Sequence, residues 1–450
     1  MPASKTSAAR SRAKAPSGPT QQPPMNADLL ILHAAQLVTV AAPDGPKRGP
    51  AMRAIGVIPD GALAAAGGQI VAVGPTAAVR ARFPDARQVI DASGRAVVPG
   101  FVDAHTHVVF AGDRVDEFER RLEGATYQEI MAAGGGIMST VRAVRVASEE
   151  QLATESAARL RAMLAHGTTT AEAKTGYGLT TAAELKLLRV IRRLGAAQPV
   201  ELAPTFLGAH AVPEEYAGRV DAYLDLVIGD MLPAVEAECR AHGLPPPFVD
   251  IFCDEGAFTA AHLERLLGAA RARGFPLKAH VDEFAALGGT PVAAALGATS
   301  VDHLIASGEA DMAALRAHPA TIPTLMPATP FGLGLGRYAP ARRMIDTYGL
   351  AVALGSDLNP GTCWCPAMPF AMALACRGMG LTPAEALAAA TINAAHAIGR
   401  GDRVGSLEPG KQADVVILSV PDYRHLAYRV GDNLVAAVIK RGQVVVATLG

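Results

Sequence analysis

Two histidines separated by one residue carry the strongest chemical signal in this sequence. His105 and His107 end the apolar segment VVPGFVDAHTH, where a β-strand is predicted and side chains at i and i+2 point to the same side. Both imidazoles can therefore reach one metal ion. His280, His303 and Asp357 follow later apolar segments in the same way, so candidate ligands end several separate strands.

Three imidazole nitrogens and one carboxylate suit a transition-metal ion such as zinc or iron, whereas magnesium and calcium prefer oxygen ligands. Such a cation lowers the pKa of a bound water molecule and polarises a carbonyl group, so the predicted chemistry is hydrolysis. Glu283, three residues after His280, is placed to accept the proton of that water and pass it to a leaving nitrogen. Asp357 is a second candidate proton acceptor, and His303 is a candidate hydrogen-bond donor to the attacked oxygen. A surface acid at Glu283 and a core histidine at His303 are the structural alternatives.

Eight apolar segments that end in polar residues alternate with longer helical stretches in the middle of the chain. The segments are VVPGFVDAHTH, TTTAEAK, VELAPTFLGAH, FVDIFCDE, PLKAHVDE, TSVDHLI, ATIPTLMP and GLAVALGSD, ending near His107, Lys174, His210, Glu255, Glu283, Ile305, Pro327 and Asp357. Eight strand-then-helix units predict an α/β fold, the (β/α)8 TIM-like barrel, whose chemistry lies at the carboxyl ends of the strands. A doubly wound open sheet is the alternative, but no Gly-rich phosphate turn follows the first strand.

Three helices of this region have sequence signals for their first turns. The predicted capping boxes run from Ser148 to Gln151, from Thr181 to Glu184 and from Thr382 to Glu385, the last with Pro383 at the first helical position. In each of them, a hydroxyl and a longer polar side chain are expected to bind the free N–H groups at the start of the helix.

Both ends of the chain differ from the middle, because they contain short β-rich runs broken by Gly and Pro. Residues 28–98 include LLILHAAQLVTV, GALAAAGGQIVAVG and QVIDASGRAVVPG, and residues 400–450 include ADVVILSV, NLVAAVIKRG and QVVVATL. We predict that these two segments form one composite β-sandwich domain beside a barrel of residues 99–399. Residues 1–27 are basic and poor in apolar side chains, which predicts a disordered tail.

Composition and charge exclude several classes of protein. The 450 residues are 50% apolar and carry 41 basic and 42 acidic side chains, without the basic excess of a nucleic-acid-binding protein. No apolar run reaches the ~18 to 20 uncharged residues of a membrane-spanning helix. Five unevenly spread cysteines do not suit a disulfide framework, so we expect a cytoplasmic protein. A secretory signal is the alternative, but His33 and Gln36 interrupt the apolar stretch that follows the tail.

Several motifs of the sequence resemble the amidohydrolase superfamily. They are PGFVDAHTH, the HVDE and DHL strand ends, LGSDLNPG and GSLEPGKQADVVIL. The resemblance, which extends from about Ile31 to Val446, implies a metal-dependent hydrolase barrel beside a small β-sandwich built from both chain ends. It further implies a homodimer with one Zn²⁺ or Fe³⁺ per subunit, held by His105, His107, His280 and Asp357.

Further motifs resemble the members of that superfamily that hydrolyse 4-imidazolone-5-propanoate to N-formimidoyl-L-glutamate, the third step of histidine breakdown. They are HTHVVFAGDR, GGGIMSTV, EAKTGYGL, TFLGAHAVP, HVDE and SDLNPGT. The resemblance implies that Glu283 lies beside the attacking water. It implies contacts of substrate or product with Arg114, Tyr177, His210, Asn359, Gly361 and Thr362, and Tyr127 is a further candidate. Thr175 and Thr362 replace serines of the family pattern, and both retain the hydroxyl.

An anionic small-molecule substrate fits the residues expected at the mouth of the barrel. Arg114 can bind a carboxylate through two parallel hydrogen bonds, and Tyr177 offers a hydroxyl and a ring face. A solvated loop arginine is the structural alternative for Arg114. A ring-amine deaminase of the same superfamily and a non-catalytic barrel are the alternative functions. Arg114 with Tyr177 favours an anion over a neutral base, and the intact set of metal ligands argues against a barrel without activity.

Overall fold

The computed structural model describes residues 26–125, 129 and 134–448. Residues 1–25, which make up most of the predicted tail, lie outside them, as does the candidate substrate contact Tyr127. Ala27 belongs to the predicted tail, but it is 1% exposed and lies in one apolar cluster with Leu30 and Val79. The predicted tail is therefore wrong at this residue, because burial ties Ala27 to the first sheet.

Strands from both ends of the chain form one mixed sheet. They are β1 (Leu29–Val38), β2 (Val57–Ala66), β3 (Gln69–Pro75), β4 (Gln88–Asp91) and β5 (Ala96–Pro99), with β14 (Val415–Leu418), β15 (Val435–Lys440) and β16 (Gln443–Ala447) from the C-terminal part. The two ends join where β5 pairs antiparallel with β14, with Val98 opposite Val416. Leu37, Val97 and Ile417 contribute to the apolar core of this sheet. A second β-rich unit from both chain ends is thereby confirmed.

The middle of the chain forms an eight-stranded parallel sheet in which the strands follow one another in chain order. They are β6 (Phe101–Asp103), β7 (Thr168–Lys174), β8 (Glu201–Ala209), β9 (Phe248–Cys253), β10 (Lys278–Val281), β11 (Ser300–His303), β12 (Ile322–Leu325) and β13 (Ala353–Leu354). A bridge between Thr106 and Leu358 joins the ends of the first and last of these strands and closes the barrel. The predicted (β/α)8 fold is confirmed.

Helices connect the strands. They are α1 (Thr76–Arg82), α2 (Val115–Leu122), α3 (Ile137–Val146), α4 (Glu149–Ala165), α5 (Thr181–Ala197), α6 (Val220–Leu226), α7 (Leu232–Ala241), α8 (Ala260–Ala272), α9 (Gly289–Ala295), α10 (Glu309–Ala317), α11 (Ala328–Leu333), α12 (Ala341–Asp346), α13 (Met368–Gly378), α14 (Pro383–Ala389), α15 (Ile392–Ala397) and α16 (His425–Tyr428). The first of them packs against β1, β2 and β3 of the mixed sheet, and helices between the barrel strands pack against the barrel. A π-helical turn, Val227–Met231, links α6 to α7. Within the described ranges, no helix combines the length and apolar character needed to cross a membrane.

The first turns of the helices agree only in part with the sequence signals. Thr382 and Glu385 form the predicted capping box of α14. At α4 only half of the predicted box forms. Ser148 Oγ accepts a hydrogen bond from Gln151 N at 3.1 Å, but the Gln151 side chain donates to Glu155 Oε1 at 2.9 Å. The predicted box from Thr181 to Glu184 is wrong, because Thr180 caps α5 and the Glu184 carboxylate binds the preceding loop instead.

Candidate metal centre and substrate pocket

The four predicted metal ligands meet where the barrel closes. Asp357 N donates to His105 O at 3.0 Å, and His107 N donates to Leu358 O at 2.9 Å, so the closing strands place three of the ligands together. The Nε2 atoms of His105 and His107 lie 3.5 and 3.7 Å from Asp357 Oδ1. His280 Nε2 lies 3.4 Å from His107 Nε2. A Cβ atom at Gly355 would lie 2.7 Å from His105 Cβ, so this close approach needs glycine.

These donor atoms fit a divalent transition-metal ion. His105 Nε2 is buried and lacks a hydrogen-bond partner among the described residues, and donors of His105, His107 and Asp357 lie within 4.8 Å of one another. Burial, followed by nearby positive charge, holds the pKa of His105 and His107 well below the usual range, so both rings are neutral and free to ligate. Burial raises the pKa of Asp357 to about 7, and a cation among these donors would lower it again.

Buried carboxylates behind two of the histidines orient their rings. Asp302 Oδ2 lies 2.7 Å from His105 Nδ1, and Asp250 Oδ2 lies 2.9 Å from His280 Nδ1. The second contact has the distance of an ion pair but not the geometry of a hydrogen bond. Carboxylates in this position favour the tautomer that leaves Nε2 available for a metal. Neither carboxylate is among the site residues predicted from the sequence.

Five charged side chains form a layer beneath the metal ligands, and all are 0% exposed. Lys174 Nζ lies 2.8 Å from Glu172 Oε1 and 2.7 Å from Asp250 Oδ2. Lys278 Nζ lies 3.1 Å from Glu172 Oε1 and 3.4 Å from Asp302 Oδ2. Glu172 and Lys174 stand two residues apart in TTTAEAK, so strand alternation is the signal that would have placed both inside the barrel.

Glu283 and His303 face the metal ligands from the ends of β10 and β11. His303 Nε2 lies 3.7 Å from Glu283 Oε2, and the His303 ring centroid is 5.1 Å from that of His105. Burial, with Asp357 as the next cause, raises the pKa of Glu283 well above its usual range. A carboxyl group with a raised pKa can both accept and return a proton near neutral pH.

The backbone at these strand ends adopts left-handed conformations. Asp282, His303 and Asp357 have φ values of +56°, +85° and +53°. Such conformations cost on the order of 1 to 3 kcal/mol in residues other than glycine, and they persist only where the surrounding structure imposes them. The strain therefore lies at the residues that aim Glu283, His303 and the Asp357 carboxylate.

Tyr177 and His210, two predicted substrate contacts, lie beside His107. The rings of His107 and His210 are stacked with centroids 4.9 Å apart, and the Tyr177 centroid is 5.6 Å from that of His107. His210 Nδ1 lies 3.0 Å from Gly176 O, which fixes the histidine ring. Burial lowers the pKa of His210 to about 3, so this side chain is neutral. The arrangement offers aromatic faces to a planar substrate ring.

The loop after β13 carries the predicted contacts Asn359, Gly361 and Thr362. Asn359 Oδ1 accepts hydrogen bonds from Gly361 N and Thr362 N, both at 2.8 Å. Asn359 Nδ2 donates to Thr362 Oγ1, also at 2.8 Å. The Asn359 amide is therefore used to shape the loop itself.

Arg114 approaches this loop from the start of α2. A Cβ atom at Gly361 would lie 2.2 Å from Arg114 Nη1, so glycine leaves room for the guanidinium group. Arg114 Nε pairs with Glu117 Oε2 at 2.8 Å. Arg121 Nη2 donates to Gly361 O at 3.1 Å, and this second arginine was missed in the sequence.

The prediction that Arg114 binds a substrate carboxylate has a kinetic test. On that prediction Arg114→Ala raises KM about 10-fold or more with a smaller effect on kcat, because a charge-assisted contact would be lost. Steady-state kinetics over a range of substrate concentrations measure both constants. Arg120→Ala removes an exposed arginine of the same helix and serves as the control. An unchanged KM in Arg114→Ala would remove this residue from the substrate pocket.

Comparisons with known proteins agree with this geometry. Residues 96–445 match the Amidohydrolase family, and residues 61–86 match the Imidazolonepropionase-like composite domain of bacteria. An imidazolonepropionase of Chloroflexus aggregans is 56% identical over 423 residues, which cover 93% of this chain and 98% of that protein. The chain belongs to the imidazolonepropionase family of amidohydrolases. Another member of this family, from Symbiobacterium thermophilum, is 54% identical, with 93% and 97% of the two chains covered.

Solved structures with this fold include enzymes of other specificity. An adenosine deaminase from Xanthomonas campestris with bound zinc has a TM-score of 0.65 and 22% identity, with 94% of each chain covered. At this identity the likeness shows the fold alone. The chain thus shares its fold with a deaminase, so the fold alone does not identify the substrate.

Proposed function

We propose that the protein hydrolyses 4-imidazolone-5-propanoate to N-formimidoyl-L-glutamate, acting on a C–N bond of a cyclic amide. The 56% identity to an imidazolonepropionase over nearly the whole chain carries this proposal. The site supports it, because neutral imidazoles and Asp357 converge at the barrel mouth. Arg114, whose Nε atom pairs with Glu117 Oε2 at 2.8 Å, is the cation proposed to bind the propanoate tail. The ring-amine deaminase is not favoured.

His105, His107, His280 and Asp357 are the residues that would hold the metal ion. Bound there, a divalent metal ion would acidify a water molecule and polarise the ring carbonyl. The remaining steps depend on side chains of the chain itself.

Glu283 accepts a proton from the attacking water, whose oxygen bonds to the carbonyl carbon of the ring. Glu283 then delivers that proton to the ring nitrogen as the C–N bond breaks, so the nitrogen leaves within the formimidoyl group. The carbonyl carbon becomes a carboxylic acid, which releases its proton to solvent and leaves as a carboxylate. Burial lowers the pKa of His303, so its ring is neutral and keeps one N–H group. This N–H group donates a hydrogen bond to the carbonyl oxygen. Arg114 binds the propanoate, and Tyr177 and His210 flank the substrate ring.

Three finer points belong to the same proposal. The metal is zinc or iron, one ion per subunit, because nitrogen donors with one carboxylate suit these ions better than magnesium or calcium. The protein is a homodimer, as its family resemblance implies. It acts on a small anionic substrate and does not bind nucleic acid. It lies in the cytoplasm, which suits its five free cysteines.

The decisive experiment supplies imidazolone propanoate to the metal-loaded protein. We expect its ultraviolet absorbance to fall while N-formimidoyl-L-glutamate appears in equal amount by mass spectrometry. Ammonia is measured in the same samples, since stoichiometric release of ammonia would favour the deaminase. A protein that binds metal but consumes no imidazolone propanoate refutes the proposal.

A further inference from the structure

Two buried carboxylates outside the metal centre each bind three backbone N–H groups of a loop that carries a site residue. We propose that Asp254 and Glu184 are positioning residues, such that Asp254 aims Glu283 for proton transfer and Glu184 holds the Tyr177 loop for substrate binding. This inference rests on the proposed function, which gives Glu283 and Tyr177 their roles.

Asp254 follows β9 and is 1% exposed. Its Oδ2 atom accepts hydrogen bonds from Glu283 N at 2.7 Å and from Phe284 N at 2.9 Å. Its Oδ1 atom accepts from Ala285 N at 3.0 Å and from Glu255 N at 2.7 Å. Three successive N–H groups therefore point at one carboxylate, which fixes the backbone turn from which the Glu283 side chain extends.

The turn also has an anchor on its other side. Asp282, with its left-handed φ of +56°, accepts hydrogen bonds through Oδ2 from Thr290 Oγ1 and Ser307 Oγ, both at 2.7 Å. Glu283 is thus held between Asp254 on one side and Asp282 on the other. A displacement of about 1 Å at a reacting group can cost on the order of 100-fold in rate. Replacing Asp254 should therefore lower kcat.

Glu184 makes the corresponding contacts from α5 and is also 1% exposed. Its Oε1 atom accepts from Gly178 N at 2.7 Å and from Leu179 N at 2.8 Å, and its Oε2 atom accepts from Gly176 N at 3.0 Å. These three N–H groups flank Tyr177. Since Gly176 O also contacts His210 Nδ1 at 3.0 Å, Glu184 holds the backbone behind both substrate-ring contacts. Replacing Glu184 should therefore raise KM.

Both oxygens of each carboxylate are acceptors in these contacts. An amide side chain cannot replace such a group, because its NH₂ faces a backbone N–H whichever way the amide is turned. Asp254→Asn and Glu184→Gln therefore change the hydrogen bonding with almost no change of volume. Glu385→Gln is the matched control, since Glu385 is fully buried and accepts from Thr382 N at 2.8 Å in the capping box of α14.

We expect the two variants to separate kcat from KM. Asp254→Asn should lower kcat about 10-fold or more with KM within about 3-fold, and Glu184→Gln should raise KM about 10-fold or more with kcat within about 3-fold. Glu385→Gln should change neither constant, although the melting temperature should fall in all three variants. Metal content is measured in each sample and should remain that of the wild type.

The inference is overturned if the two variants change kcat and KM by the same factors. It is also overturned if Asp254→Asn mainly raises KM while Glu184→Gln mainly lowers kcat. Hydrogen exchange of the wild-type protein tests the contacts without any variant. The amides of residues 176, 178, 179 and 283–285 should exchange at least about 100-fold more slowly than freely exposed amides, and rapid exchange would exclude the contacts. A wild-type protein without turnover refutes the proposed function instead, and the exchange data still decide the positioning contacts.

Discussion

Glu283→Gln is expected to lower kcat by roughly 100-fold or more while the protein keeps its metal ion. Glutamine has nearly the same shape as glutamate, but its amide cannot accept and return a proton. Glu283 is not one of the four proposed metal ligands, so their arrangement should be unaffected. Turnover of imidazolone propanoate and metal content are measured on the same preparation.

The control for this experiment is Glu264→Gln, which changes an exposed carboxylate on α8 away from the site. It should behave like the wild type in both measurements. If Glu283→Gln retains near-normal turnover, the proton is transferred by another group, and Asp357 is the next candidate. Loss of metal together with loss of activity would show that Glu283 supports the metal centre and not the proton transfer.

Lys174→Met is expected to lower the free energy of unfolding by about 3 to 5 kcal/mol, because it leaves buried negative charge without its partner. Lys174 lies within 4.0 Å of Glu172, Asp250 and Asp302, and all four side chains are 0% exposed. After the substitution Lys278 would still pair with Glu172 and Asp302, whereas Asp250 would lose its lysine partner. Methionine keeps most of the volume of the lysine side chain. The decrease in the free energy of unfolding would therefore come from the lost charge and hydrogen bonds and not from a cavity.

Denaturant unfolding of the metal-free protein measures this effect, so that metal binding does not contribute. Arg193→Met is the control, since the pair of Arg193 and Glu150 is more than half exposed on both sides. Exposed pairs contribute at most about 1 kcal/mol. A loss in Lys174→Met as small as that of the control would show that the buried layer contributes little to stability.

The family resemblance and the side chains that meet at the barrel mouth, His105, His107 and Asp357, were accessible from sequence because their signals are local, and their role as metal ligands stays a prediction. Alternation along a strand places His105 and His107 on one face, and the end of a parallel strand is visible as an apolar run followed by polar residues. The capping box of Thr382 and Glu385 was predicted correctly for the same reason, since its partners are three residues apart.

Strand periodicity and chain order were enough to predict a barrel of eight strands and the residue types at the strand ends. The carboxylates that support these residues could not be predicted, because they come from distant parts of the chain. Asp302 and His105 are 197 residues apart, and Lys174 and Asp250 are 76 apart, so their contacts exist only once the barrel has closed. Glu184 was also mispredicted from its sequence position, which suits a capping box at the start of a helix. In the folded protein its buried carboxylate instead binds three N–H groups of the adjacent loop.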